Sequence, residues 1–358
     1  MIEPQEAADL VVLHALMLQR YSEGVARRIV ATLNRADKDI FSRLQLALDA
    51  APGDVSAQAA YLESLLASVR GLNGAAYRQI EAAMQADMLA LAGVETTFND
   101  RLYGAMAGSV PLAAVGARSA YAAAMARPFQ GVLLREAAAE LGEARMRRIR
   151  DAVRIGFVSG KTTTQIVKDL RGTQTAGLAD GLLEVDRRHL TTVVHSALGH
   201  TAATARDQFF KANKDVIASV MWLSTLDGKT SEPCRLRGNK RYSADAKKPI
   251  GHALPWGAGP GRYHFRCRST AIGLLPGQEK PFGMRASSDG PVDANTSYGA
   301  WLGRQSEFTQ NEVLGVKRAK LFRDGGLSIE NFSTNKGEFI SLEQLRKTDA
   351  DAFKRAGL

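Results

Sequence analysis

The chain has 358 residues, 45% of them hydrophobic and 23% charged, and carries a net charge of +10. That length exceeds what one hydrophobic core supports, so two or more folding units are expected. Two cysteines are too few for a disulfide framework, the opening Met1-Ile2-Glu3-Pro4-Gln5-Glu6 lacks the basic start and apolar core of a secretory signal, and no apolar run nears the about 20 residues of a membrane span. These features argue against a secreted disulfide scaffold and a membrane-spanning protein, and residence in a reducing cytoplasm is expected. Few aromatics and many alanines favour helix over sheet.

Residues 8–48 predict one or two long helices, because Leu10, Leu13, Met17, Tyr21, Val25, Ile29 and Leu33 recur at steps of three and four. This stripe packs either within its own domain or against another copy, and it carries no chemistry. Ala51-Pro52-Gly53-Asp54 marks a break, and helix resumes over 55–92 with Leu62, Leu65, Leu66, Val69 and Leu72 on one side, interrupted at Asn73-Gly74. Residues 91–127, rich in Ala and Gly around Pro111, predict thin helices. A charged helix over 135–154 presents Arg145, Arg147, Arg148, Arg150 and Arg154 beside Glu136, Glu140 and Glu143, which reads as a solvated face.

That helix is expected to stop at Gly156. A second then starts from a Thr162–Thr164 cap and buries Ile166, Val167 and Leu170. Gly160-Lys161-Thr162 is not a phosphate loop, since that motif needs four residues between its glycines and a strand before it. Residues 186–214 form an amphipathic helix, and its His189, His195 and His200 do not share one face.

A strand over 216–223 leads to Asp227-Gly228-Lys229-Thr230 and Pro233-Cys234. A long basic loop carrying Trp256 follows, then His264-Phe265-Arg266-Cys267-Arg268 and a return strand over 269–275. Residues 229–268 hold ten basic side chains against Glu232 and Asp245, which is +8 of the chain's +10. A sequence-independent contact with phosphates fits such a loop, with Arg235, Arg237, Lys240, Arg241, Lys247, Lys248, Arg262, Arg266 and Arg268 as the DNA-binding candidates. Cys234, His264 and Cys267 are candidate zinc ligands, because one turn plus a His-x-x-Cys step is a common ligand arrangement. A fourth ligand could come from Asp227, Ser231 or His252; two buried free thiols beside a hydrogen-bonded His is the alternative. Pro276 to Asn295 reads as a linker, 298–322 as a helix ended by Gly325-Gly326, and 340–358 as a last short helix with a capping box at Ser341-Leu342-Glu343-Gln344.

The chain resembles the phage head morphogenesis family, the Mu F-like minor head proteins. That family follows a Trp-containing strand with Asp-x-x-Thr-Cys-x-x-Cys, a variable loop and His-x-x-Cys-Arg. The matching residues are Trp222, Asp227, Thr230, Cys234, His264, Cys267 and Arg268, and Ser231 stands where the family has its first cysteine. The helix pair around 156–170 resembles the one preceding the family's core, whereas Thr191-Thr192-Val193 stands in place of the usual Arg-Thr-Glu. Tyr298-Gly299-Ala300-Trp301-Leu302 and Phe322-Arg323-Asp324-Gly325-Gly326 resemble a C-terminal extension of such proteins; residues 1–130 carry no part of the likeness.

The expected fold is α+β and predominantly helical. A helical N-terminal arm covers 1–130, a small α+β core with a Cys/His-clamped β-hairpin covers 131–275, and a linker with a helical C-terminal extension covers 276–358. The resemblance implies a non-enzymatic, low-copy structural protein of a tailed phage, made in the host cytoplasm and placed inside the head near the portal. It implies action in head morphogenesis and in DNA packaging or ejection, with the portal protein, the capsid interior and double-stranded DNA as partners. Zinc is the implied metal, and the N-terminal helices offer a route to self-association. A metal-dependent nuclease with His264 as base or ligand is the alternative, although only Asp227, Glu232 and Asp245 supply acidic groups in the core.

Overall fold

The computed structural model describes residues 4–52, 55–129, 131–281 and 283–358. It is predominantly helical, with a small antiparallel sheet, so the α+β expectation holds. The chain forms two compact units, one of residues 1–18, 92–120 and 199–358 and the other of residues 19–91 and 121–198. These units cut the chain differently from consecutive segments 1–130, 131–275 and 276–358, because packing joins stretches that sequence order separates. Helices Pro4–Asp49, Val55–Ala107, Ala117–Ala126 and Glu184–Ala212 contribute residues to both.

In the unit of residues 19–91 and 121–198, α1 (Pro4–Asp49) and α2 (Val55–Ala107) bury Ile40, Leu44, Leu65 and Val69. The helix α3 (Ala117–Ala126) precedes α4 (Leu134–Val158), which adds Met146, Ile149 and Val153 to the same core. Each fully buried Ile or Leu contributes roughly 1.5–3 kcal/mol. The stripe of α1 divides: Val25, Ile29 and Leu33 are buried, whereas Leu10, Leu13 and Met17 are exposed.

Three expectations are corrected in this unit. No interruption occurs at Asn73-Gly74, because Asn73 is buried and its amide donates to the Gly142 carbonyl at 3.0 Å while its oxygen accepts from Arg145 Nε at 3.1 Å. Arg145 is not on a solvated face but fully buried and paired with Asp37, which Arg187 also engages. The helix runs past Gly156 to Val158, and a Cβ at Gly156 would come within 2.5 Å of Ile166, so this glycine lets the next helix pack closely. That helix, α5 (Thr163–Arg171), starts as predicted. Thr162 accepts from the Gln165 N–H, the Gln165 side chain accepts from the Thr162 N–H, and Ile166 and Leu170 are buried.

The helix α6 (Glu184–Ala212) sends Phe209 and Phe210 into the core of the unit of residues 1–18, 92–120 and 199–358. Against them lies a four-stranded antiparallel sheet of order β3-β2-β1-β4, formed by β1 (Ser219–Leu223), β2 (Arg241–Ser243), β3 (Pro249–Ile250) and β4 (Thr270–Leu274). Trp222 pairs with Ala271 and Val220 with Tyr242. The stretch expected as one long loop therefore contains two strands and a short helix, α7 (Glu232–Arg237).

The expected linker is folded on. A two-stranded ladder joins β5 (Met284–Arg285) to β6 (Val292–Asp293), and Arg285 is buried, donating to the carbonyls of Ser224 and Thr296. Residues 298–322 form α8 (Tyr298–Gly303), α9 (Glu307–Leu314) and α10 (Val316–Arg323), divided by the Ser306 cap and by Gly315 at φ +76°. A 3-10 turn, Ile329–Phe332, precedes α11 (Leu342–Thr348), which has the predicted Ser341/Gln344 capping box, and α12 (Ala350–Arg355). No described helix is long and apolar enough to cross a membrane.

Candidate metal centre and basic surface

Strand β1 delivers the chain into a turn built on Asp227, whose Oδ1 accepts from the Lys229 N–H at 3.0 Å and lies 3.1 Å from Thr230 Oγ1. Ser231 then caps α7, Pro233 occupies its first turn, and Cys234 faces inward beside Trp222. The other half of the site precedes β4. The Cys267 N–H donates to the His264 carbonyl at 3.2 Å, and Arg266 takes a left-handed φ of +54°. This tight turn folds His264 and Cys267 back towards Cys234.

The three candidate ligand atoms lie within 4.8 Å of one another, the one such Cys/His/Asp/Glu group among the described residues. Cys234 Sγ is 3.8 Å from Cys267 Sγ and 3.5 Å from His264 Nε2. Tetrahedral zinc with ordinary Zn–S and Zn–N bonds requires edges of about 3.8 Å between sulfurs and about 3.5 Å between sulfur and nitrogen. These two spacings match those edges, so the Cys-His-Cys cluster could hold a metal ion. His264 Nδ1 lies 2.9 Å from the Phe265 carbonyl; donation there fixes the tautomer that leaves the Nε2 lone pair for the centre.

The hydrogen bond from Cys234, helped by His264, holds the Cys267 thiol well below its ordinary value despite burial, while Cys234 is pushed up by that same hydrogen bond and by burial. His264 is raised, first by its hydrogen bond to Cys267, against the opposing effect of burial. A metal held here would take both sulfurs as thiolates and His264 as neutral imidazole, so it would displace the protons these groups now share.

Two expected fourth ligands lie elsewhere. Asp227 is held by Arg268, with Nη2 at 2.8 Å from Oδ1; burial alone would raise its pKa, but Arg268 and Thr230 keep it below the ordinary carboxylate value. It belongs to the turn rather than to the metal site. His252 instead places Nε2 2.9 Å from the Arg241 carbonyl. Ser231 Oγ is 2.8 Å from His264 Nε2, a hydrogen-bond distance shorter than the edge two zinc ligands would keep. The site therefore offers three donors and a neighbouring hydroxyl.

The basic candidates separate by burial. Arg237 is buried, donating to the carbonyls of Pro255 and Pro233 with its guanidinium 4.7 Å from the Tyr263 ring centre. Arg262 is buried against Asp207, where Lys247 also lies, 3.6 Å away. Gly261, at φ +79°, brings that loop against the Gly199 carbonyl of α6, and a Cβ there would stand 3.1 Å from Ala203. Arg235 is half-buried and donates to the carbonyls of Thr230 and Val313. The expectation that these four face DNA is therefore corrected: their charge is spent on carbonyls, carboxylates and aromatic faces inside the fold. Lys248, Arg266 and Arg268 are exposed, Lys240 and Arg241 half-buried.

Lys229 and Phe265 are exposed as well, and neither was among the candidates. The signal for Phe265 was its place inside the His-x-x-Cys step, where the middle residues turn outward once the outer two turn in. No protein-family model matches the chain, and neither curated proteins nor solved structures yield a match.

Proposed function

We propose that this chain is a minor head protein of a tailed phage, held near the portal inside the head, where it acts in head morphogenesis and in DNA packaging or ejection. The observation that carries the reading is that residues far apart in sequence but shared with the head morphogenesis pattern meet in two contact groups joined by chain neighbours. Trp222, Cys234 and Cys267 share one buried core cluster, His264 meets Cys234, Thr230 meets Asp227, and Asp227 holds Arg268. Isolated chance matches would not be expected to meet this way.

In this reading Cys234, His264 and Cys267 hold zinc, which ties α7 to the start of β4 and so fixes the turn that presents Arg266 and Arg268. The ion would supply stability through its bonds to the two thiolates and the imidazole. Exposed Lys229, Lys248, Arg266 and Arg268 supply non-specific contact with DNA phosphates.

Co-expression with the portal and major capsid proteins of the same genome tests the proposal. The chain is expected to co-purify with portal-containing heads, and Cys267→Ala is expected to lower its incorporation. A chain that stays unassembled while heads form normally contradicts the reading, and magnesium-dependent plasmid cleavage abolished by His264→Ala would replace it with a nuclease.

A further inference from the structure

Cys234 and Cys267 are the two cysteines of the chain, and the fold brings their sulfurs to 3.8 Å across 33 positions of sequence. No other pairing within the chain is available. Each sulfur is carried by a segment fixed on its own account. Cys234 sits in α7, behind the Ser231 cap and Pro233, and the Cys267 N–H is tied to the His264 carbonyl ahead of β4. The contact between the sulfurs is thus set by the backbone around them.

Their exposure differs in a way that sets an order of reaction. Cys267 is 8% exposed, with half-buried His264 in the same cluster, whereas Cys234 is 1% exposed. A small oxidant entering from solvent meets Cys267 first, and Cys234 stands at contact distance to resolve the product before a second oxidant arrives. As a zinc site the cluster is one sulfur short of its fullest form, because the Ser231 hydroxyl is engaged with His264 where a third sulfur would stand. A metal held there depends on the same two sulfurs that oxidation would consume.

We propose that Cys234 and Cys267 are a peroxide-sensitive thiol pair, converted by oxidation to a disulfide that no longer holds the metal. The Cys267 sulfur attacks one oxygen of hydrogen peroxide, the O–O bond breaks, and the departing hydroxide takes the Cys267 proton to become water, leaving a sulfenic acid. Cys234 Sγ then attacks the Cys267 sulfur; the S–S bond forms as the S–O bond breaks, and the departing hydroxide takes the Cys234 proton to become a second water. Two thiols and one hydrogen peroxide become one disulfide and two waters. In the zinc-loaded chain both sulfurs start as thiolates, so the two protons come from solvent and one zinc ion is released. The metal half of this inference rests on the proposed zinc reading and adds its regulation, while the thiol pair itself follows from the sulfur contact. Oxidation joins α7 covalently to the start of β4 and closes the loop that carries β2 and β3.

The test uses the full chain purified under reductant, in a zinc-loaded sample and in one stripped by chelator, each titrated with hydrogen peroxide. Stripped wild type is expected to lose both alkylatable thiols together, with its intact mass lower by two hydrogens and a peptide linking Cys234 to Cys267 that dithiothreitol splits. The link lies within one chain, so its rate should not change when the protein is diluted about tenfold. The oxidised chain is expected to melt at a higher temperature than the reduced, stripped chain. Zinc-loaded wild type is expected to release its ion in step with disulfide formation, read with a metallochromic indicator. Cys234→Ser, which removes the resolving thiol, is expected to leave Cys267 as a sulfenic acid that a dimedone probe captures.

Thiols that stay reduced in the folded, stripped chain while pairing in urea, or oxidation that runs on to sulfinic acid or links two chains, overturns the thiol pair and leaves the zinc reading in place if the chain still binds the ion. A chain that forms the disulfide but takes up no zinc supports the pair and overturns the zinc reading alone.

Discussion

Ser231 stands where a fourth sulfur would complete a tetrahedral site, and its hydroxyl instead hydrogen-bonds His264 Nε2. Zinc bound by Cys234, His264 and Cys267 is therefore expected at about one ion per chain by elemental analysis, with Ser231→Cys binding it more tightly and Cys267→Ala losing it. An ion present at about a thousand times its dissociation constant stabilises the fold by about 4 kcal/mol, so chelation should lower Tm by several degrees. A Tm indifferent to chelation and to Cys267→Ala would mean two buried thiols and no metal. This cluster was legible in the sequence because cysteine is used so sparingly and His-x-x-Cys returns two donors to one point. The role of Asp227 was not, since its partner Arg268 lies 41 residues away. Nor was the burial of Arg237 and Arg262, because a count of charges does not reveal which guanidinium groups lie against rings or inside a loop.

At the scale of elements, Glu95 on α2 joins three others: α1 through His14 at 2.8 Å, α6 through Arg206 at 2.9 Å, and β4 indirectly, because Arg206 also donates to Thr270. The carboxylate is fully buried, and burial alone would raise its pKa. The charge of Arg206 and the hydrogen bond to His14 outweigh burial and hold it below the ordinary 4.5. A depressed folded value means that the stabilisation is complete above the unfolded pKa and is lost as pH falls through the folded one. Glu95→Ala should therefore destabilise the protein by about 3–5 kcal/mol near neutrality, since Arg206 is left without its carboxylate. It should also remove part of the loss of stability at acid pH, seen in urea titrations from neutral pH downward. A variant as stable as wild type, with an unchanged acid limb, would contradict this role. The sequence showed α1, α5 and the Ser341 cap because their periodicity and capping are local. It misplaced breaks at Asn73-Gly74 and Gly156, where distant groups decide: Gly142 and Arg145 occupy the Asn73 amide, and Ile166 fills the space beside Gly156.

At the scale of the whole molecule, +8 of the +10 charge lies in residues 229–268, and not all of it faces solvent. In the 229–268 stretch several cations are internal ties, and the solvent-facing ones gather at the Asp227 and His264 turns and at Lys248. The two compact units and the divided stripe of α1 could not be read from composition, because they depend on which segments return to the same core. The proposed role is that of a low-copy component of an assembly rather than of a coat of many copies. Quantitative mass spectrometry of purified, DNA-filled heads, calibrated against the major capsid protein, measures that role directly. The account predicts a copy number far below that of the capsid protein and close to that of the portal, whereas absence from the particle, or a copy number matching the capsid protein, would contradict it.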